Sequence, residues 1–346
     1  MTPAVAGRRW RRWWSAGGAL IGVSTLVWVM WRIDFDRLQQ VVAQADVMFL
    51  LLVPLAIAAE QLVRAWKWRQ LLHVIRPINT LRLFGAIMAG YFANVVIPLG
   101  ISPIVRSWLV SRLEALKMSA VLATAAIDRF VDGVIFSGFV AIALIFAVFP
   151  DPSGGIRLGL IFGGVGALVL FALLLLTLVR FKSLVALPDG WMMGLVNRLP
   201  MRSTGSVTGI LQSFAEGIVW PREVWRGLGI VLASVVIKLI AATHFLWAGL
   251  AFLVVLRASD YVFLMVFLGF LIILTRFARI PGGFFLGSIF ALDLLGVAKE
   301  QALAMALVVQ FSSLLTVTSI GALALWRSGI TLDALRMAKG SDVASS

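Results

Sequence analysis

The sequence predicts an all-α, polytopic membrane protein of about seven to eight transmembrane helices, with two broken or re-entrant segments. Three observations carry that prediction. The 346-residue chain is 61% hydrophobic and 13% charged, about half the charged share of a soluble globule. Its mean hydropathy is +1.01, and several apolar runs reach the ~18 residues that read as a membrane span. Basic residues gather beside those runs, at 8–12, 64–82 and 198–226.

The charge balance sharpens the class. Thirty Lys and Arg stand against 16 acidic residues, a formal charge of +14. In a soluble protein that excess points to nucleic acid. Beside apolar spans it fits the positive-inside rule and contact with anionic headgroups, so nucleic acid is not an expected partner. The chain has no cysteine, which excludes disulfides, thiolate metal sites and cysteine nucleophiles. Two histidines, His73 and His244, are too few for a histidine-rich metal centre. No metal or other cofactor is expected.

The first span is expected at about 15–32, after "RRWRRWW". It resembles a signal peptide in its basic start but lacks a small-residue cleavage site, and reads as an uncleaved span with a cytoplasmic N-terminus. A second span, about 46–63, runs into "RAWKWRQLLHVIR", read as a basic helix end leaving the membrane on the cytoplasmic side. Asp34, Asp36 and Asp46, flanking the intervening loop, read as solvated. Residues 118–149 form a long apolar helix that ends at "FPDPSGG", and 157–179 returns to Arg180 and Lys182. Residues 183–226 are the least apolar region and read as a cytoplasmic connector with amphipathic helices. They divide a first transmembrane half, 1–182, from a second, 227–330; residues 331–346 are a polar tail. Spans near 227–256, 261–278 and 301–326 complete the second half. Seven full crossings would leave the basic tail on the wrong side, unless a broken segment changes the count.

The two broken segments lie near 92–106 and 279–288. The first, "FANVVIPLGISPIVR", sets Asn94, Pro98, Gly100, Ser102 and Pro103 among apolar residues and ends on Arg106. The second holds Pro281, Gly282 and Gly283 beside Arg276 and Arg279. Backbone at membrane depth must pair its polar groups, so non-helical chain there lines a cavity or packs within protein. Interruptions at corresponding places in two halves point to an inverted repeat with a substrate site between them. Their free N–H groups suit a phosphate. Proline kinks without function are the plain alternative.

Two spans carry charge. "TAAIDRFVDGVIF" places Asp128 and Asp132 on one helix face, with Arg129 within reach of Asp132 and Thr124 on the same stripe. Counted from Lys117, Asp128 lies about 16 Å along the helix. Each such charge costs about 2.5–3.5 kcal/mol at mid-membrane, so it must face protein or water. Headgroup binding by Arg129, proton coupling through the aspartates and a buried ion pair joining two helices all remain open. Lys238 is a second intramembrane cation and a candidate anion ligand, with snorkelling as its rival. His244, six residues on, faces about 120° away and reads as a packed polar residue.

No G-x-S-x-G, H-E-x-x-H or P-loop pattern is present in the sequence, and no long external loop carries paired carboxylates. Enzymatic activity is not expected.

"RAWKWRQLL", "FANVVIPLGISPIVR", "AAIDRFVDG" and "RIPGGFF…LLGV" occur in an order similar to the lysylphosphatidylglycerol synthase transmembrane family, a flippase-like family. The resemblance spans about residues 12–330. It places the family's Asn-x-x-x-Pro…Arg motif on Asn94, Pro98 and Arg106. Its acidic–Arg pair and following Asp fall on Asp128, Arg129 and Asp132, and its Pro-Gly-Gly break on Pro281, Gly282 and Gly283. Ser102-Pro103 stands where Gly-Glu is usual, Phe284 to Ser288 hold no glutamate, and Gln310 stands where arginine is common. These departures imply altered headgroup recognition or a different lipid. The aminoacyl-transferase domain has no counterpart here, so lipid lysylation is not implied.

The resemblance implies a non-enzymatic lipid translocase of a bacterial inner membrane. The cargo would be a phospholipid, glycolipid, hopanoid or polyisoprenoid-linked lipid. Arg106, Arg129, Lys238 and Arg276 or Arg279 would meet an anionic or phosphate-bearing headgroup. The rival expectation is an accessory subunit of a lipid-modifying or glycosyltransferase enzyme that itself transports nothing.

Overall fold

The computed structural model describes residues 34–96, 101–148, 151, 153–185, 204–278 and 283–329. The described residues form eleven helices and no strand. They are α1 (Phe35–Ala43), α2 (Val47–Leu72), α3 (Thr80–Val96), α4 (Ser102–Glu114), α5 (Met118–Phe146) and α6 (Gly155–Val185). After a break come α7 (Thr204–Gly217), α8 (Val224–Ala251), α9 (Ala258–Ala278), α10 (Gly283–Leu294) and α11 (Lys299–Arg327). Six of them, α2, α5, α6, α8, α9 and α11, are long and apolar enough to cross a membrane, and α3 and α10 are shorter apolar helices. The protein is a polytopic, all-helical membrane protein. The span expected at 15–32 and the tail from 331 lie outside the described residues.

The chain forms two compact units that do not follow its two halves. The first takes the described parts of 1–56, 138–164 and 239–312, and the second those of 57–137, 165–238 and 313–346. The cuts fall inside α2, α5, α6, α8 and α11.

In the first unit, small residues let α9 and α10 pack side by side. A Cβ on Gly287 would stand 1.9 Å from Leu271 Cδ2, and one on Gly283 would overlap Thr275. Phe267 and Phe290 stack with ring centroids 5.9 Å apart. These pairings run in opposite chain directions, so the two helices form an antiparallel hairpin. The Gln301 amide donates to Phe252 O at 3.1 Å, and Asp46 N donates to Ala251 O at 2.9 Å. The start of α11 therefore lies at the end of α8, and the hairpin returns the chain to the end it left. Asp34 and Asp46 are not merely solvated. Asp34 accepts from Asp36 N and Arg37 N, and Asp46 accepts from Met48 N, so each satisfies free N–H groups at a helix start.

In the second unit, α3 and α4 form another antiparallel hairpin. Near its closed end, a Cβ on Gly90 would stand 2.9 Å from Ser102 O. At its open end, Arg82 Nη1 meets Glu114 Oε1 at 3.0 Å. At 17 and 13 residues, the arms measure about 26 and 20 Å, short of the ~30 Å hydrocarbon core. The hairpin thus enters and returns on one side. Trp68, Leu72, Leu83, Ile87, Leu109 and Val121 fill the core around it. Gly217 seats α7 on α5, since a Cβ there would stand 2.2 Å from Ala120 O. Gly321 does the same for α11 on α3, where Met88 O and Phe92 Cβ would each be 2.6 Å away. By contrast, Leu170, Leu173 and Leu176 on α6 are exposed, as a lipid-facing helix requires.

Backbone cannot yield at Gly321. Gly321→Ala should destabilise the protein by about 1–3 kcal/mol through overpacking. Gly138→Ala, where nothing lies within 4 Å, should not lower stability. Thermal unfolding of the two variants in the same detergent checks both.

Candidate functional site

The second unit buries a network of charged and polar side chains contributed by α2, α3, α4, α5 and α8. Lys67, on α2, is fully buried. Its ammonium meets Asp132 Oδ1 at 2.6 Å and Asp128 Oδ1 at 2.7 Å. It also lies 3.2 Å from Ser234 Oγ on α8 and 3.3 Å from Asp128 O. Arg64, one turn earlier, spreads its guanidinium over three acceptors: Gln61 Oε1 at 3.1 Å, Asp132 Oδ2 at 2.9 Å and Glu60 Oε1 at 2.8 Å. Asp132 thus bridges two cations of α2. Such charges are tolerated in an apolar bundle only because each is paired and hydrogen-bonded.

Arg106 enters from α4. Its side chain is 1% exposed, and its guanidinium lies over the Trp68 ring at 4.6 Å, a cation–π contact. Nη2 reaches Asp128 Oδ2 at 3.3 Å and Ala125 O at 3.5 Å. Among the described residues Nε and Nη1 are buried without a hydrogen-bond partner, as are the hydroxyls of Ser102 and Ser107 on the same helix. Trp68 is held in turn by its indole N–H, which donates to Thr124 Oγ1 at 3.0 Å.

Asn94 and Ser102 explain how the first break is tolerated. Asn94 Oδ1 accepts from Ser102 N at 3.0 Å, so a side chain of α3 satisfies an N–H at the start of α4. Pro103 follows at the first turn, where its missing N–H costs nothing. Pro98 lies outside the described residues. Arg129 does not pair with Asp132, as their spacing on one helix allowed. Its Nη2 donates to Tyr91 OH at 3.3 Å, while Asp132 is taken by α2. Tertiary partners displace the local pair because they neutralise two buried carboxylates at once.

Lys238 places its ammonium 5.5 Å from the Phe136 ring, partly buried. In the first unit, Gly283 opens α10 against Thr275. Arg276 lies in α9, with its side chain outside the described part; Arg279, Pro281 and Gly282 lie outside the described residues altogether. The network therefore brings together Arg106, Asp128, Arg129 and Asp132, with Asn94 holding the break beside them.

The sequence reading missed Glu60, Arg64, Lys67 and Trp68. The stretch from Arg64 reads in sequence as a helix end leaving the membrane, but Arg64, Lys67 and Trp68 are buried, at 5%, 0% and 0% exposed. A signal was available. Glu60 and Arg64 are four apart, and Arg64, Lys67, Trp68 and Leu71 share a helical face, while Trp66, 40% exposed, points away.

A profile of the family described as the lysylphosphatidylglycerol synthase TM region matches residues 15–321. The chain belongs to this family. No curated protein and no solved structure matches it. The matched range takes in both helical hairpins and every residue of the charge network of this lysylphosphatidylglycerol synthase TM family member.

Lys67 is the joint of the network. Lys67→Met leaves Asp128 and Asp132 sharing fewer cations and should destabilise the protein by about 3–5 kcal/mol, the loss expected when one partner of a buried pair is removed. Melting of the purified variant would show it. Restoring much of the loss in Lys67→Met/Asp128→Asn would tie the effect to charge rather than volume.

Proposed function

We propose that this protein is a non-enzymatic lipid translocase that moves a lipid with an anionic or phosphate-bearing headgroup between leaflets. The observation that carries this reading is Arg106. It is a nearly fully buried guanidinium with two nitrogens unpartnered among the described residues, lying in a network with a cationic excess. Glu60, Asp128 and Asp132 pair with Arg64, Lys67 and Arg106, and Arg129 adds a fourth cation beside them on Tyr91, so among the described residues three carboxylates stand against four cations before Lys238 is counted. An anion is the ligand such a site is short of. Membership of the family and the exposed apolar helix faces support a lipid as its carrier.

Orientation follows from charge. Arg76, Arg82, Lys117, Lys182 and Arg226 gather where α2, α3, α5, α6 and α8 begin or end, linked through Glu114, Gln70, Glu216 and Ile218. The positive-inside rule makes that end cytoplasmic, in a bacterial inner membrane. Because each hairpin returns to the end it left, α2, α5, α6, α8 and α11 remain as net crossings. Together with the span expected at 15–32 these make an even number, in keeping with a cytoplasmic N-terminus and a basic tail on the same side.

The test is reconstitution in liposomes with a panel of fluorescent lipids, scoring leaflet exchange by chemical quenching. The wild type should move at least one anionic or phosphate-bearing lipid. Arg106→Ala and Arg129→Ala should slow that movement by about tenfold or more, the scale of a lost hydrogen bond to a charged group. If no lipid in the panel moves, or both variants match the wild type, the translocase reading fails.

A further inference from the structure

A second lipid site lies away from the charge network, at the open end of the α3–α4 hairpin. There α3, α4 and α11 enclose a groove of about 700 Å³, within the range of small-molecule sites. Its walls are apolar, with Phe84 on α3, Leu109 and Leu113 on α4, and Leu323 on α11. Small residues bring two of its walls together, since a Cβ on Gly85 would stand 3.5 Å from Ala324 Cβ. Its polar groups are confined to the helix ends. Arg82 stands in the first turn of α3, and Arg327 and Ser328 at the end of α11.

We propose that this groove binds one anionic phospholipid of the surrounding bilayer. An acyl chain lies between the apolar walls, and the headgroup phosphate meets Arg82 and Arg327. Charge complementarity selects that occupant. Arg82 engages Glu114 through Nη1 alone, and its side chain is 68% exposed. Glu114 is already shared with Arg76, so one carboxylate is divided between two arginines while Arg327 adds a third. Among the described residues the groove mouth therefore keeps a positive excess, next to an apolar slot and at helix ends, where basic residues meet anionic headgroups. A zwitterionic lipid fits the slot equally well but gains less from the rim. The site does not depend on translocation: a protein that moves nothing would still fill it.

Delipidated full-length protein, titrated with phosphatidylglycerol or phosphatidylcholine and read by intact-complex mass spectrometry, tests this. The wild type should retain one phosphatidylglycerol at concentrations where phosphatidylcholine is lost. Arg327→Gln and Arg82→Gln should each weaken phosphatidylglycerol binding about fivefold and leave phosphatidylcholine unchanged. Gly85→Leu, which fills the slot, should abolish the tight site for both. Should Gly85→Leu fail to fold, as judged by its elution profile, Arg327→Gln still decides, because that side chain is exposed. Equal retention of the two lipids by the wild type, no tightly retained lipid, or unchanged binding in Arg327→Gln overturns the proposal. Leaflet exchange is scored separately, so loss of transport with intact binding would strike only the translocase reading.

Discussion

The need to neutralise charge inside an apolar bundle organises the second unit. Lys67 sits at the centre of that constraint. Its three N–H groups are divided among carboxylates of α5, a hydroxyl of α8 and a backbone carbonyl, so its position is determined by several helices at once. Arg64 shares Asp132 with it, and Arg106 shares Asp128. Each carboxylate is thus held by cations from more than one direction. Such an arrangement adds little net stability against an apolar core of equal volume, but it makes one packing far better than its alternatives. The helices meet in register because misaligned charges would be left bare.

The same principle, applied to backbone groups, accounts for the helical hairpins. A broken segment at membrane depth survives only if its N–H and C=O groups find partners within the protein. Asn94 supplies one such partner to Ser102, and the close approach at Gly90 lets α4 lie against α3. Gly283 and Gly287 allow the equivalent approach of α10 to α9. The first hairpin delivers Arg106 to Asp128 and Trp68. A continuous span through this region would carry the arginine past the network rather than into it.

Much of this was legible in the chain. Long apolar runs announced the spans because hydropathy over ~18 residues is a local property. The breaks were visible because prolines and glycines cluster there within a few apolar residues, whereas single ones, such as Pro54 in α2, leave a helix continuous. Arg106, Asp128 and Arg129 stood out as charges with no aqueous surroundings. The stretch from Arg64 to Trp68 was harder. A basic, tryptophan-bearing helix end looks the same whether it snorkels to the headgroups or turns into the bundle. With 26 residues, α2 is about 39 Å long and exceeds the hydrocarbon core, so length alone allowed both.

The amino-acid sequence determined the class, the family, the approximate spans and the two interruptions, because each depends on composition and spacing over one or two dozen residues. The tertiary structure decided which charges meet. Asp132 turned from its helical neighbour Arg129 to Arg64 and Lys67, and Arg129 turned to Tyr91. It also decided that both interrupted segments are hairpins returning to their own end, through contacts at Gly90, Glu114 and Gly287. Pairing of buried charges and closure of hairpins depend on residues tens of positions apart, and their energies exist only once the helices are packed.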